Sequence, residues 1–174
     1  RDGRVTGVQT CALPISLPFN EMPANSRIWI YQSDRKLNDS ELDQIKLKLT
    51  DFLKNWTAHG DDLKSSFEIR YDRFIIIGLN EKSAKASGCS IDACVHFIQQ
   101  IEKDYNINLL DKMNVAFKQG EYVSYKSIVE FKSLIKNNSV SKNTIVFNNL
   151  VLDIGDYKNN WEVPACKSWH SRFF

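Results

Sequence analysis

The chain has 174 residues, 43% of them hydrophobic and 25% charged, with 23 Lys and Arg against 21 Asp and Glu, an ordinary globular balance. A net charge of +2 makes no electrostatic case for nucleic acid, whose binding draws on clustered cations. The longest apolar run, Phe74 to Leu79, is far short of the roughly 20 residues that cross a bilayer as a helix.

Residues 1–16, Arg1 to Ser16, resemble the in-frame translation of a common short-read sequencing adapter. Arg1-Asp2 and two index-dependent residues lead into Val5-Thr6-Gly7-Val8-Gln9-Thr10-Cys11-Ala12-Leu13-Pro14-Ile15. They are expected to be adapter-derived, non-native and disordered, and are set aside from fold reasoning. No export signal is then visible, which makes the expected location cytoplasmic. Residues 17–174 have the length of one domain and can bury about two thirds of their unfolded surface without a metal or disulfide. Discounting Cys11 leaves Cys89, Cys94 and Cys166, whose spacing suits a reducing compartment better than a disulfide framework.

Arg27 to Gln32 is a β-branched and aromatic run that predicts a strand. Asn38 and Glu41 form a capping box, and Leu42, Ile45, Leu49, Phe52, Leu53 and Trp56 then recur at helical spacing. Gly60 is placed as the left-handed residue closing that helix. Phe67–Tyr71 and Phe74–Asn80 predict a hairpin around Asp72-Arg73. Ile91, Cys94, Val95, Ile98, Ile101 and Tyr105 form one apolar helical stripe. Residues 113–118 and 122–126 flank Gln119-Gly120 as a second hairpin. Ser127 and Glu130 form another capping box before a short helix, and Thr144 to Phe147 is a last strand; the remainder is aromatic-rich and irregular.

That order is the βαββαβ pattern of ferredoxin-like folds. The expected class is therefore α+β: a ferredoxin-like antiparallel sheet from residues 17–126 with helices on one face. Residues 127–174 are expected to form a C-terminal extension and tail that, with the second hairpin, enlarge the sheet or cap its far side.

Ala86-Ser87-Gly88-Cys89-Ser90-Ile91-Asp92 sets a small turn and a thiol directly before a helix. Unpaired N–H groups and the positive dipole end there favour an anion and activate a thiolate. The ligand-binding candidates are Ser87, Gly88, Cys89 and Ser90. Capping, a tight turn and a packed thiol account for the same residues without a ligand. A thiol enzyme would use Cys89 with a base, His170 or His59, as nucleophilic catalysis requires; His96 falls off the main stripe. Cys166 and His170 lack the second close pair that structural zinc sites have, so no metal is expected, and no motif calls for a cofactor.

Six segments carry a resemblance that spans residues 19–174: Ser26–Gln32, Trp56–Gly60, Ala86–Asp92, Asp111–Met113, Asn143–Val151 and Ser168–Phe174. The chain is similar to an uncharacterised bacterial family commonly labelled "ABC transporter ATPase", which implies a cytoplasmic, transporter-associated ATPase and no established site residue. A P-loop needs Gly-Lys-Ser/Thr after a preceding glycine, and no Gly here is followed by Lys. From Phe131 through Asn143–Val146 to Trp161-Glu162-Val163-Pro164, interrupted at 148–158, the chain also resembles small bacterial GYF-like modules, which implies peptide binding. Binding of a partner protein or a small anionic ligand is the expected function, with the thiol enzyme and the transporter-associated ATPase as alternatives.

Overall fold

A computed structural model describes residues 17–174; the adapter-like stretch lies outside them. The elements run β1 (Arg27–Gln32), α1 (Asp39–Lys54), a small hairpin of β2 (Thr57–Ala58) and β3 (Asp61–Asp62), then β4 (Lys64–Arg70), β5 (Phe74–Asn80) and α2 (Gly88–Tyr105). The hairpin β6 (Asn114–Gln119) and β7 (Tyr122–Ser127) leads to α3 (Ile128–Lys136), β8 (Ile145–Phe147), α4 (Ile154–Asn160) and β9 (Glu162–Pro164). Two short 3-10 turns, Ala165–Lys167 and Trp169–Phe173, end the chain. No helix among the described residues is long and apolar enough to cross a membrane.

Two larger antiparallel sheets stack. The first has the order β1-β5-β4, the second β7-β6-β8-β9. β5 is central, and alternation explains its unbroken apolar sequence, since successive side chains point to opposite faces. Ile75, Ile77 and Leu79 pack with Leu42, Ile45 and Leu49 of α1 and with Cys94, Ile98 and Ile101 of α2. Phe74 and Ile76 face the other way, onto Ala116, Phe147 and Trp161. On the outer side of the second sheet, Val115, Phe117 and Val146 pack against Phe131 of α3 and Ala165 of the tail. The layers are thus helices, sheet, sheet, then α3 with the tail. Gly78 keeps the inner layer thin: a Cβ there would sit 3.0 Å from Met22 Sδ and 3.1 Å from a Phe19 ring carbon.

The mixed α+β class is evident, and β1, β5 and β4 take their places under two helices. The strand expected to complete that sheet does not join it. β6 pairs with β7 and, through Phe117 and Val146, with β8. The free edge of β1 instead meets the 152–153 segment, where the Ile28 N–H donates to the Leu152 carbonyl at 3.1 Å. The boundary drawn at 126/127 therefore passes through the second sheet. Residues 148–174, read as irregular, contain α4 and β9; Asp153 caps α4, accepting the Asp156 N–H at 2.8 Å.

Gly60 does not end α1. The helix stops at Lys54 with Asn55 as its cap, and Trp56 lies beyond it. Register pairs Ala58 with Asp61, so His59 (φ 53°) and Gly60 (φ 86°) are the two central residues of the small hairpin. Both positive φ values are what a two-residue primed turn demands. A left-handed glycine satisfies a helix end and a hairpin equally, and only pairing with β3 separates them.

Candidate functional site

The start of α2 is built locally. Ser87 caps the helix: its Oγ accepts the Ser90 N–H at 3.1 Å, and Ser90 Oγ accepts the Ser87 N–H at 2.6 Å. The Ile91 N–H donates to the Ser87 carbonyl at 3.0 Å. A helix start leaves four N–H groups without intrahelical partners. The Ile91 bond opens the intrahelical ladder; of the four groups before it, Ser87 and Ser90 satisfy each other, and only the Gly88 and Cys89 N–H groups lack a partner among the described residues. The four-residue candidate narrows to two donors. The Cys89 thiol is free and exposed, and nothing occupies the space beyond the Gly88 Cα within 4 Å.

Cys89, with Ser87 and Ser90, lines a groove of about 710 Å³ between the C-terminal half of α1 and the N-terminal half of α2, walled at one end by the β2–β3 hairpin; Gly88 lies beside the groove and does not line it. Its floor is aromatic. Phe52 and Phe97 stack with ring centroids 4.5 Å apart and planes 14° apart, and Trp56 lies 5.7 Å from Phe52. Trp56 is fixed by its indole N–H, which donates to the Ser90 carbonyl at 2.8 Å, tying the floor to the helix start. Ala93 keeps the α2 side low, and Lys48, Asp51 and His59 stand on the rim. Lys48 is already committed to Asp104 at 2.9 Å and to the Tyr105 ring.

Of the two candidate bases, the structure brings only His59 to the groove that Cys89 lines. His170 belongs elsewhere. It is buried beside Phe131 under the tail and stacked on Trp169 with centroids 3.9 Å apart. Its Nδ1 lies 2.6 Å from Ser168 Oγ. Burial, with Arg172 nearby, pushes the imidazole down to about 4. His96 is exposed on α2 and does not line the groove. Among the described residues no group of three or more His, Cys, Asp and Glu is disposed to hold a metal ion. Cys94 is buried with the Tyr31 hydroxyl 3.6 Å from its sulfur, and burial pushes both pKa values up.

A second polar cluster, which the sequence did not signal, joins the two sheets. Tyr157 donates to Glu68 Oε2 at 2.5 Å, and Tyr71 donates to Glu162 Oε1 at 2.5 Å. Lys118 Nζ is 2.6 Å from Glu162 Oε1, while Arg70 reaches the Tyr157 hydroxyl and Glu162 Oε2 at 3.3 and 3.4 Å. Burial pushes the Tyr157 phenol up, and Glu68 adds to it. For Glu162, burial pulls upward, but Lys118, Tyr71 and Arg70 outweigh it and hold the carboxyl below its usual range. A pocket of about 290 Å³ opens beside this cluster. Alternation along β4 puts Glu68 and Arg70 on one face, but nothing local pairs Tyr71 with a carboxylate 91 residues away.

No protein family, curated protein or solved structure matches this chain in comparison.

Proposed function

We propose that the chain is a non-enzymatic cytoplasmic binding protein whose α1–α2 groove takes a small anionic ligand with an apolar or aromatic body. The observation that carries this reading is the groove itself, an open aromatic floor ending at Cys89, whose N–H, like that of the adjoining Gly88, has no partner among the described residues. The body would lie on Phe52 and Phe97, and the acid would meet the Gly88 and Cys89 N–H groups at the positive end of α2. A partner protein presenting an acidic group would use the same surface. The accompanying fold reading is a ferredoxin-like unit of β1, α1, β4, β5 and α2 whose fourth strand has been drawn into the second sheet.

The test uses 1-anilinonaphthalene-8-sulfonate as probe, against the neutral 1-anilinonaphthalene. Gly88→Pro removes one donor at the first helical position, where proline is well tolerated. Loss of a charge-assisted hydrogen bond of about 1.5–3 kcal/mol should weaken sulfonate binding roughly 10-fold or more. Ala93→Trp, which fills the groove, should abolish it. Equal affinity for the neutral probe, or no effect of either substitution, would refute the assignment.

The second reading is a thiol-dependent enzyme, and the presence of Cys89 and His59 on one groove supports it. Cys89→Ser should leave probe binding within about twofold if the protein only binds, whereas a thiol enzyme loses its activity outright. Magnesium-dependent nucleotide binding would instead favour the transporter-associated ATPase that the family resemblance implies.

A further inference from the structure

We infer that the pocket between β4 and α4 is a second binding site, for a small monocarboxylate that carries a hydrogen-bond donor on the carbon next to the carboxylate. The pocket is independent of the α1–α2 groove and shares no residue with it. At about 290 Å³ it lies below the usual range for drug-sized ligands and suits a compact molecule.

Its chemistry follows from which groups remain uncommitted. Glu162 is saturated by Tyr71, Lys118 and Arg70. Glu68 spends Oε2 on the Tyr157 hydroxyl and leaves Oε1 without a donor among the described residues. Lys158 is exposed on the pocket wall and makes no ion pair among the described residues. Arg70 reaches Tyr157 and Glu162 at 3.3 and 3.4 Å and pairs with Glu68 Oε2 at 3.9 Å; with five N–H donors, its guanidinium keeps others available. Arg70, Lys118 and Lys158 outnumber the carboxylates Glu68 and Glu162 by one, and that excess positive charge favours a carboxylate on the ligand. A carboxylate between Lys158 and Arg70 would place its neighbouring hydroxyl or ammonium toward Glu68 Oε1. Trp161 and Phe19 line the same pocket; both are buried, and the edges they leave open are its apolar wall.

Tyr71 (φ 55°) and Asp72 (φ 51°) are the central residues of the β4–β5 turn, closed by the Arg73 N–H donating to the Arg70 carbonyl at 3.0 Å, and both positive φ values are those of a primed hairpin turn. That turn holds the Tyr71 hydroxyl on Glu162 and leaves the Arg70 guanidinium 5.4 Å from the Trp161 ring centroid.

The experiment follows the Trp161 indole N–H resonance, assigned by Trp161→Phe, during titration with 2-hydroxy-4-methylpentanoate. Saturable shifts are expected, weakened at least tenfold by Lys158→Met and by Glu68→Gln and unchanged by Ala93→Trp in the other groove. Removing the hydroxyl (4-methylpentanoate) or the charge (2-hydroxy-4-methylpentanamide) should each weaken binding at least fivefold. L-Leucine decides whether the preferred donor is an ammonium, and tighter binding of leucine assigns the amino-acid member of the class. No shift with either acid, or equal shifts with all the analogues, would overturn the proposal. Lys158 is exposed and its substitution spares the core, so the result does not hinge on a misfolded variant.

Discussion

His170 illustrates how little a residue type says about its role. As one of three histidines it was a natural partner for Cys89, yet its ring is packed against Phe131 and Trp169 with its pKa pushed down to about 4. The consequence is thermodynamic. Between about pH 6.5 and pH 4 the unfolded chain binds a proton that the native imidazole refuses. Stability from this site is therefore complete above the unfolded value and falls as the solution is acidified through that window, by up to roughly 3 kcal/mol. Urea melts at pH 7 and pH 4.5 should show His170→Gln losing less stability on acidification than the parent. An identical pH dependence in both proteins would contradict the burial argument. Gly60 and His59 carry a similar lesson: the positive φ is a property of the residue pair, but its use as a hairpin depends on Asp61 and Asp62.

At the level of elements, three helices begin with reciprocal capping boxes, at Asn38 and Glu41, Ser87 and Ser90, and Ser127 and Glu130. Two of these were legible because a Glu three residues after the cap is a familiar signal. At α2 a serine does the same work, so the sequence pointed to capping by Ser87 or Ser90 without revealing that each satisfies the other. Ser87→Ala should lower stability by about 1 kcal/mol, read from the denaturation midpoint at unchanged slope, while Gly88→Pro should stay within about 0.5 kcal/mol. A larger loss with proline than with alanine would mean that the Gly88 N–H has a structural partner. Within the candidate site, Ser87, Gly88, Cys89 and Ser90 were visible from their position before an amphipathic run. Phe52 and Trp56 read as core stripe and Phe97 drew no notice, because helical period gives the buried face of a single helix and not the gap between two.

For the whole molecule the decisive fact is that β5 is covered on both faces. Ile75, Ile77 and Leu79 serve one core and Phe74 and Ile76 another, and the second is completed by Phe147, Tyr157 and Trp161 from beyond residue 126. A fragment of residues 17–126 would expose that face and strand β6 without β8. It should show no cooperative thermal transition and poorly dispersed amide resonances, whereas residues 17–174 should unfold in one sharp step. A well-folded fragment would show that residues 17–126 form a self-sufficient core. The same stacking creates the cluster of Glu68, Arg70, Tyr71, Lys118, Tyr157 and Glu162, for which no local pattern exists.

Most strand and helix positions up to residue 147, two of the three capping boxes, the two longer hairpins and the lead-in to α2 could be read along the chain, because each depends on residues within one or two turns of each other. Which strand closes which sheet, where His170 lies, the aromatic floor beneath Cys89 and the seam between the sheets depend on partners tens of residues apart. Those pairings are chosen by burial of whole faces. The apolar face of β5 left bare by α1 and α2 is covered by β6, β8 and α4 together, and that competition for cover has no signature in any short window.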